Sequence, residues 1–260
     1  MIDYEKQAGS PLFPKVFWNR PINKKAAGSI LVIGGHGQQF ADTQRLHQLA
    51  KSYGAGTVKF LMPDSIKKLI GSTEEGTYLP STRSGSLSVN GVEEAVASAN
   101  DCDGVIISSD ISGNAETIRF LERFLDDTKA ITVSSGEVLK NLLPLREARR
   151  SLSAAILSPV QLSEWAKAEK IALFTKQADL QKELAIHRAL NDISETTIIS
   201  YSTQHCITSS KGKVSVTSGF EVDPIEIMAS VAIFLIQHPD RFEAATSGVF
   251  SISPESESLN

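Results

Sequence analysis

"SILVIGGHGQQFADTQRLHQLAKSYGAGTVKFLMP", residues 29–63, reads as a strand, a glycine turn, a helix and a second strand. Ile30–Ile33 is a fully apolar run, the pattern of a strand buried on both faces. Asp42 or Thr43 is placed to cap a helix in which Leu46, Leu49, Ala50 and Tyr53 recur at i, i+3, i+4 and i+7. Gly54 marks its end, and Thr57–Leu61 reads as the next strand. This order predicts a βαβ crossover in a parallel sheet. The turn itself, Gly34, Gly35 and Gly37, raises the question of a bound phosphate. The dinucleotide fingerprint fails, because Gln38, Gln39 and Phe40 stand where its last glycine belongs. No Gly-Lys-Ser/Thr follows, and Leu61 and Met62, not an acidic residue, end the second strand.

The rhythm continues outward. Pro63–Ile70 reads as a helix, residues 71–91 as a polar surface loop, Val92–Ala99 as a helix and Gly104–Ser108 as a strand. Asn114 caps a helix carrying Ile118, Leu121 and Leu125. Ala130–Val133 and Ala155–Leu157 read as strands; Glu137–Leu143, Gln161–Ala168 and Ala178–Leu190 read as helices. Thr196–Tyr201, Gln204–Thr208 and Lys213–Thr217 then form an antiparallel meander. An apolar helix, Ile225–Ile236, and a short amphipathic one around Arg241–Ala245 close the series. The division expected is an irregular arm over 1–28, one α/β domain over 29–250 and a disordered acidic tail over 251–260.

A net charge of −4 without a basic stripe gives no support for a nucleic-acid partner. No apolar run approaches the roughly 20 residues of a membrane span, and the first residues carry charges where a signal peptide needs an apolar core. Cys102 and Cys206 lie far apart, as reduced thiols in a cytoplasmic protein do. His36, His47, His187, His205 and His238 show no metal-ligand spacing, so no metal site is expected. His36 alone sits in the glycine turn, where it is either a ligand contact or a turn residue.

Residues 28–65 around the glycine turn, with Gly54, Gly56 and Val58, carry a resemblance that further segments extend. These are "RPINKKAAG" (20–28), "DGVIISSDISGNAETIRFLERFL" (103–125), "AILSPVQLSEWAKA" (155–168) and the late meander. From about Arg20 onward the chain resembles the ADP/ATP-dependent NAD(P)H-hydrate dehydratases of the ribokinase-like superfamily. The resemblance implies a three-layer sandwich, a mostly parallel sheet with a late antiparallel meander. It implies nucleotide-dependent repair of hydrated NAD(P)H, with ATP or ADP and Mg2+ as cofactors and an NAD(P)H-like small molecule as ligand. It places Gly34, Gly35, His36, Gly37, Asp110, Gly113, Asn114, Ser158, Pro159, Ser218 and Gly219 against ligand, and Asp223 as the catalytic base.

The chemistry-bearing motifs depart from the family. Its Gly-Pro-Gly-Leu-Gly reads Ser109 to Gly113 here, with Gly113 alone retained. Its Thr-Pro-His-Pro-Gly-Glu begins Ser158-Pro159 and loses the histidine. A lysine usual in the penultimate strand is replaced by Tyr201 or a neighbour. Its Gly-Gly-Ser-Gly-Asp becomes Ser218-Gly219-Phe220-Glu221-Val222-Asp223, and Asp223-Pro224 is also an ordinary helix start. The expectation is a weakly active or inactive dehydratase. The alternatives are a pseudoenzyme that binds a small ligand or a protein, and an ATP-dependent kinase of the same superfamily. Lys24 and Lys25 are a solvated patch or a phosphate contact, and homo-oligomerisation stays open.

Overall fold

The computed structural model describes residues 3–37, 39–72, 74–173, 179–218 and 223–253. It begins with strand β1 (Glu5–Gln7), helix α1 (Pro14–Trp18), β2 (Ser29–Ile33), α2 (Ala41–Ser52), β3 (Thr57–Pro63), α3 (Asp64–Ile70) and β4 (Gly76–Leu79). Helix α4 (Val92–Asn100), β5 (Gly104–Ile107), α5 (Ala115–Asp127), β6 (Ile131–Ser135), α6 (Gly136–Leu142) and α7 (Arg146–Arg150) follow. Then come β7 (Ala154–Leu157), α8 (Pro159–Ala168), α9 (Leu180–Asn191), β8 (Thr197–Tyr201), β9 (His205–Ser210) and β10 (Lys213–Ser218). Helices α10 (Pro224–Gln237) and α11 (Arg241–Ser251) complete the described elements. No helix among the described residues is long and apolar enough to cross a membrane.

The apolar runs lie in the middle of one sheet, ordered β1-β10-β9-β8-β7-β6-β5-β2-β3-β4. Strands β2 to β8 are parallel to one another. Strand β9 is antiparallel to β8 and β10, as the meander predicts. Alternation along β2 sends Leu31 and Ile33 to one face and Ile30 and Val32 to the other. The first face packs on Phe120, Leu121, Phe124 and Leu125 of α5; the second packs on α10. All four β2 residues are buried, and each contributes about 1.5–3 kcal/mol by leaving water. Helix α10 is apolar on every side because α2, α11 and the sheet surround it. The result is a three-layer fold with a mostly parallel central sheet.

Five expectations need correction. The arm is not wholly irregular: β1 pairs with β10, and α1 begins at Pro14 and packs Phe17 edge-on against Phe234 and Phe250. Strand β1 carries no apolar signal because it is fixed by a polar residue. Buried Gln7 donates to the Thr217 hydroxyl at 2.9 Å and to the Thr246 carbonyl at 3.1 Å. The polar loop contains an edge strand, β4, held against β3. Helix α7 was not anticipated, since its sequence, Arg-Glu-Ala-Arg-Arg, buries only Ala148 and Arg149. Helix α2 starts at Ala41 with Phe40 in the cap position and no side-chain cap of its own, so neither Asp42 nor Thr43 caps it. The expected tail begins too early: α11 runs to Ser251 and Ser253 is buried, because the helix packs its last turn on α10, while residues 254–260 lie outside the described residues.

Candidate functional site

Parallel strands end at a common edge, where open α/β sheets place their ligands. The C-terminal ends of β2, β5, β6, β7, β8 and β10 all lie there by register. Gly34, Asp110, Ser158 and Ser218, each within a few residues of such a strand end, therefore share one end of the sheet. Lys24 and Lys25 do not: the Lys24 carbonyl packs against Gly56, just before β3, at the opposite end.

The glycine turn does hold an anion, and the anion is the chain's own. Asp110 Oδ1 accepts from the Gly35 N–H at 3.0 Å and from the Thr43 hydroxyl at 2.6 Å. Its Oδ2 accepts from the Thr43 N–H at 3.0 Å, in the first turn of α2. The missing cap of α2 is thus supplied from the loop after β5. Gly34 makes room for this arrangement, because a Cβ there would lie 2.3 Å from Thr43 Oγ1 and 2.7 Å from Asp110 Oδ1. Gly35 adopts φ +82° and Gly37 φ +53°. His36 Nδ1 lies 2.6 Å from the Asp110 carbonyl, so the ring donates there. Next to Asp110, the Ser109 hydroxyl donates to Asp42 at 2.6 Å.

The other expected residues serve local structure. Asn114 caps α5, accepting from the Thr117 N–H at 2.9 Å. Gly113 allows close packing on α6, since a Cβ there would sit 2.9 Å from Asn141 Oδ1. Ser158 forms a reciprocal capping box with Gln161, and Pro159 takes the first position of α8. Ser218 ends β10 opposite His205. Gly219 lies outside the described residues, as do Phe220, Glu221 and Val222.

Asp223 caps α10, its Oδ1 accepting from the Ile225 N–H at 2.9 Å. Its Oδ2 is paired with Arg45 of α2. The same guanidinium nitrogen lies 3.3 Å from Glu226. Arg45 reads in the sequence as an exposed helical residue; its partner comes 178 positions later, and no local pattern announces it.

Between α10 and the ends of β6, β7 and β8 lies a cavity of about 70 Å³, lined in part by Ser135, Glu137, Ile156, Tyr201, Ile225 and Met228. None of the described residues expected in the site lines it. Burial raises the Tyr201 phenol above the ordinary tyrosine value, with smaller contributions from Glu137, Cys206 and Asp223, so it stays a proton donor. Glu137 accepts from Gln161 at 2.8 Å. Asp42, Asp110, Glu137, Asp223 and Glu226 give this edge a marked acidic character, and Arg45 pairs two of them.

A second polar group lies under the β8–β9 hairpin, where α9 turns Glu183, His187 and Asn191 inward at i, i+4 and i+8. Asn191 donates to Ser209 at 2.7 Å, and His187 contacts Ser209 at 2.7 Å and Ser200 at 2.8 Å. Ser200 donates to Glu183 Oε2 at 3.2 Å, and His205 Nε2 stands 3.5 Å from the same oxygen. The hydrogen bonds therefore run in one direction and end on Glu183. Glu183 Oε1 is buried with no hydrogen-bond partner among the described residues. Burial, then the neighbouring His205, lowers the His187 pKa to about 3 and keeps that ring neutral.

No family model matches the chain, and no curated protein matches it by sequence. Solved structures do. A ribokinase-like superfamily protein from Enterococcus faecalis superposes with a TM-score of 0.73 at 14% identity, covering 98% of this chain and 88% of that one. A hypothetical protein from Streptococcus mutans gives 0.68 at 16% identity, with 92% and 86% covered. The ADP/ATP-dependent NAD(P)H-hydrate dehydratase from Bacillus subtilis, co-crystallised with ATP/Mg2+, gives 0.56 at 12% identity, with 88% and 79% covered. Such identities speak to architecture alone: this chain has a ribokinase-like fold, three-layered, with a mostly parallel sheet and an antiparallel strand late in the chain.

Proposed function

We propose that this chain is a small-ligand-binding relative of the NAD(P)H-hydrate dehydratases in which nucleotide-driven chemistry is weak or lost. The observation that carries the reading is the double engagement of Asp223. A catalytic base needs an oxygen within about 2.6–3.2 Å of the atom whose proton it takes. Here one oxygen holds the start of α10 and the other holds Arg45. Taking up a proton would release the helix cap or the ion pair. Arg45, in turn, is neutralised by Asp223 and Glu226 and is poorly disposed toward a phosphate.

A nucleotide phosphate finds few donors among these residues, because Asp110 takes the Gly35 N–H and both Thr43 donors and Arg45 is already paired. In the sequence, Phe220, Glu221 and Val222 replace the small residues that let backbone N–H groups reach phosphate. A kinase reading needs the same base and anion-binding loop, and weakens with them. What remains is a cavity of about 70 Å³ with Ile156, Ile225 and Met228 on one side and Tyr201 and Glu137 on the other, with room for a polar molecule of only a few heavy atoms.

The test uses the purified protein with NADH hydrate, Mg2+ and either ATP or ADP, following the recovery of NADH absorbance. Recovery at the uncatalysed rate is expected, with no nucleotide binding by calorimetry at micromolar concentrations. Catalysed recovery, or a low-micromolar dissociation constant for either nucleotide, would restore Asp223 as the base.

A further inference from the structure

We propose that Asp110 is a specificity-determining residue: it fills the anion seat at the glycine turn and thereby excludes ligands that present a phosphate or carboxylate there. This deepens the reading above and rests on it: Ser109, the residue before Asp110, lines the cavity in which that reading places the ligand, so the glycine turn adjoins it.

The seat is complete. Two backbone N–H groups and one hydroxyl, from Gly35 and Thr43, converge on one carboxylate at the positive end of a twelve-residue helix. These donors belong to one βα unit, and the acceptor arrives from a loop 67 to 75 residues later. Asp110 is held at two points, since its carbonyl also accepts from the His36 ring at 2.6 Å. The neighbouring Ser109 is tied to Asp42, which fixes the loop on the other side. A tethered carboxylate competes at an effective concentration that no dilute external anion matches. A second anion would also meet Asp110 at a few ångströms, without a donor to spare.

The chemistry selected is the reverse of phosphate recognition. With Nδ1 donating to Asp110, the neutral His36 ring keeps Nε2 as an acceptor. The turn thus favours a ligand end that is uncharged or cationic and donates hydrogen bonds.

The test follows the Gly35 and Thr43 amide resonances while inorganic phosphate is titrated into the wild type, Asp110→Gly and Asp110→Asn. The wild-type amides should stay in place. In D110G, which empties the seat, both should move, with phosphate binding at least about tenfold tighter, the scale set by removing one like-charge repulsion near a surface. D110N removes the charge and keeps the shape, so it should fall between the two. Saturating shifts in the wild type at the same phosphate concentrations as in D110G overturn the proposal, as does a folded D110G that binds no tighter. If D110G loses its folded spectrum, D110N and the wild-type titration decide. NADH-hydrate turnover by the wild type would end the non-catalytic reading and leave these phosphate results standing.

Discussion

Asp110 and Glu183 are both carboxylates packed against the sheet, and their surroundings treat them oppositely. Asp110 receives three hydrogen bonds, two of them from backbone groups with no other partner among the described residues. Glu183 receives one, from Ser200, and stands 3.5 Å from His205 with one oxygen unpartnered among the described residues. Backbone donors at a helix start must be satisfied by something, so the carboxylate there is a structural stitch. Hydroxyls and rings can turn toward each other, so the carboxylate under the hairpin is less firmly required. Burial alone does not say whether a charge stabilises; its donors do.

The sharpest way to break this picture is Gly34→Ala. A methyl group at Gly34 collides with the Thr43 hydroxyl and the Ser108 Cβ, and it separates Asp110 from α2. A loss of roughly 4 kcal/mol is expected in urea unfolding, at the upper end for a single substitution. A loss below about 1 kcal/mol would mean that the turn is looser than its contacts indicate.

The second effect is a pH dependence rooted in the α9 seam. His187 titrates near 3 when folded, against the ordinary 6.5. Between those values the unfolded chain binds a proton that the folded chain refuses, so stability falls as pH falls from about 6.5 toward 3. The contribution is up to about 1.4 kcal/mol per pH unit. Melting temperatures of the wild type and His187→Gln across that window measure it; the variant should be less stable at pH 7 and show the shallower acid limb. Parallel limbs would exclude His187 as the source.

The smallest effect is a paired comparison of amides. Asp110→Asn turns an N–H₂ toward backbone donors and should cost about 2 kcal/mol. Glu183→Gln removes a buried charge and offers a donor to His205, so its effect should lie within about 1 kcal/mol of zero. Equal losses in the two variants would erase the distinction between stitch and seam.

Much of the architecture was legible because it rests on local pattern. Ile30–Ile33 and Gly104–Ile107 could only be buried strands, and Asn114 announced its helix by its own side chain. The meander was marked by the turn at Lys211 and Gly212, where both residues take positive φ. What escaped was specified by distant partners. Strand β1 depends on Gln7 finding Thr217, the cap of α2 depends on Asp110, and Asp223 is defined by Arg45. The residues around the cavity escaped for the same reason. Glu137 and Ile225 read as ordinary first-turn residues, and Tyr201 drew notice only as the replacement of a lysine. Gly34 and Gly35 follow β2 at the edge, and their nearest neighbours are side chains of the same chain.

Strand β1 has a bearing on how the molecule assembles. Gln7 and its partner Thr217 are 210 residues apart, and the other acceptor of Gln7, Thr246, is farther still. Closing so long a loop brings little reward until the hairpin and α11 exist to receive the strand. During synthesis β1 therefore leaves the ribosome well before its partners and is among the last strands to be seated. Until then β10 presents a bare edge, the condition under which sheets recruit strands from other chains. The three residues of β1 cover that edge, and their arrival marks the point at which the newborn chain ceases to be adhesive.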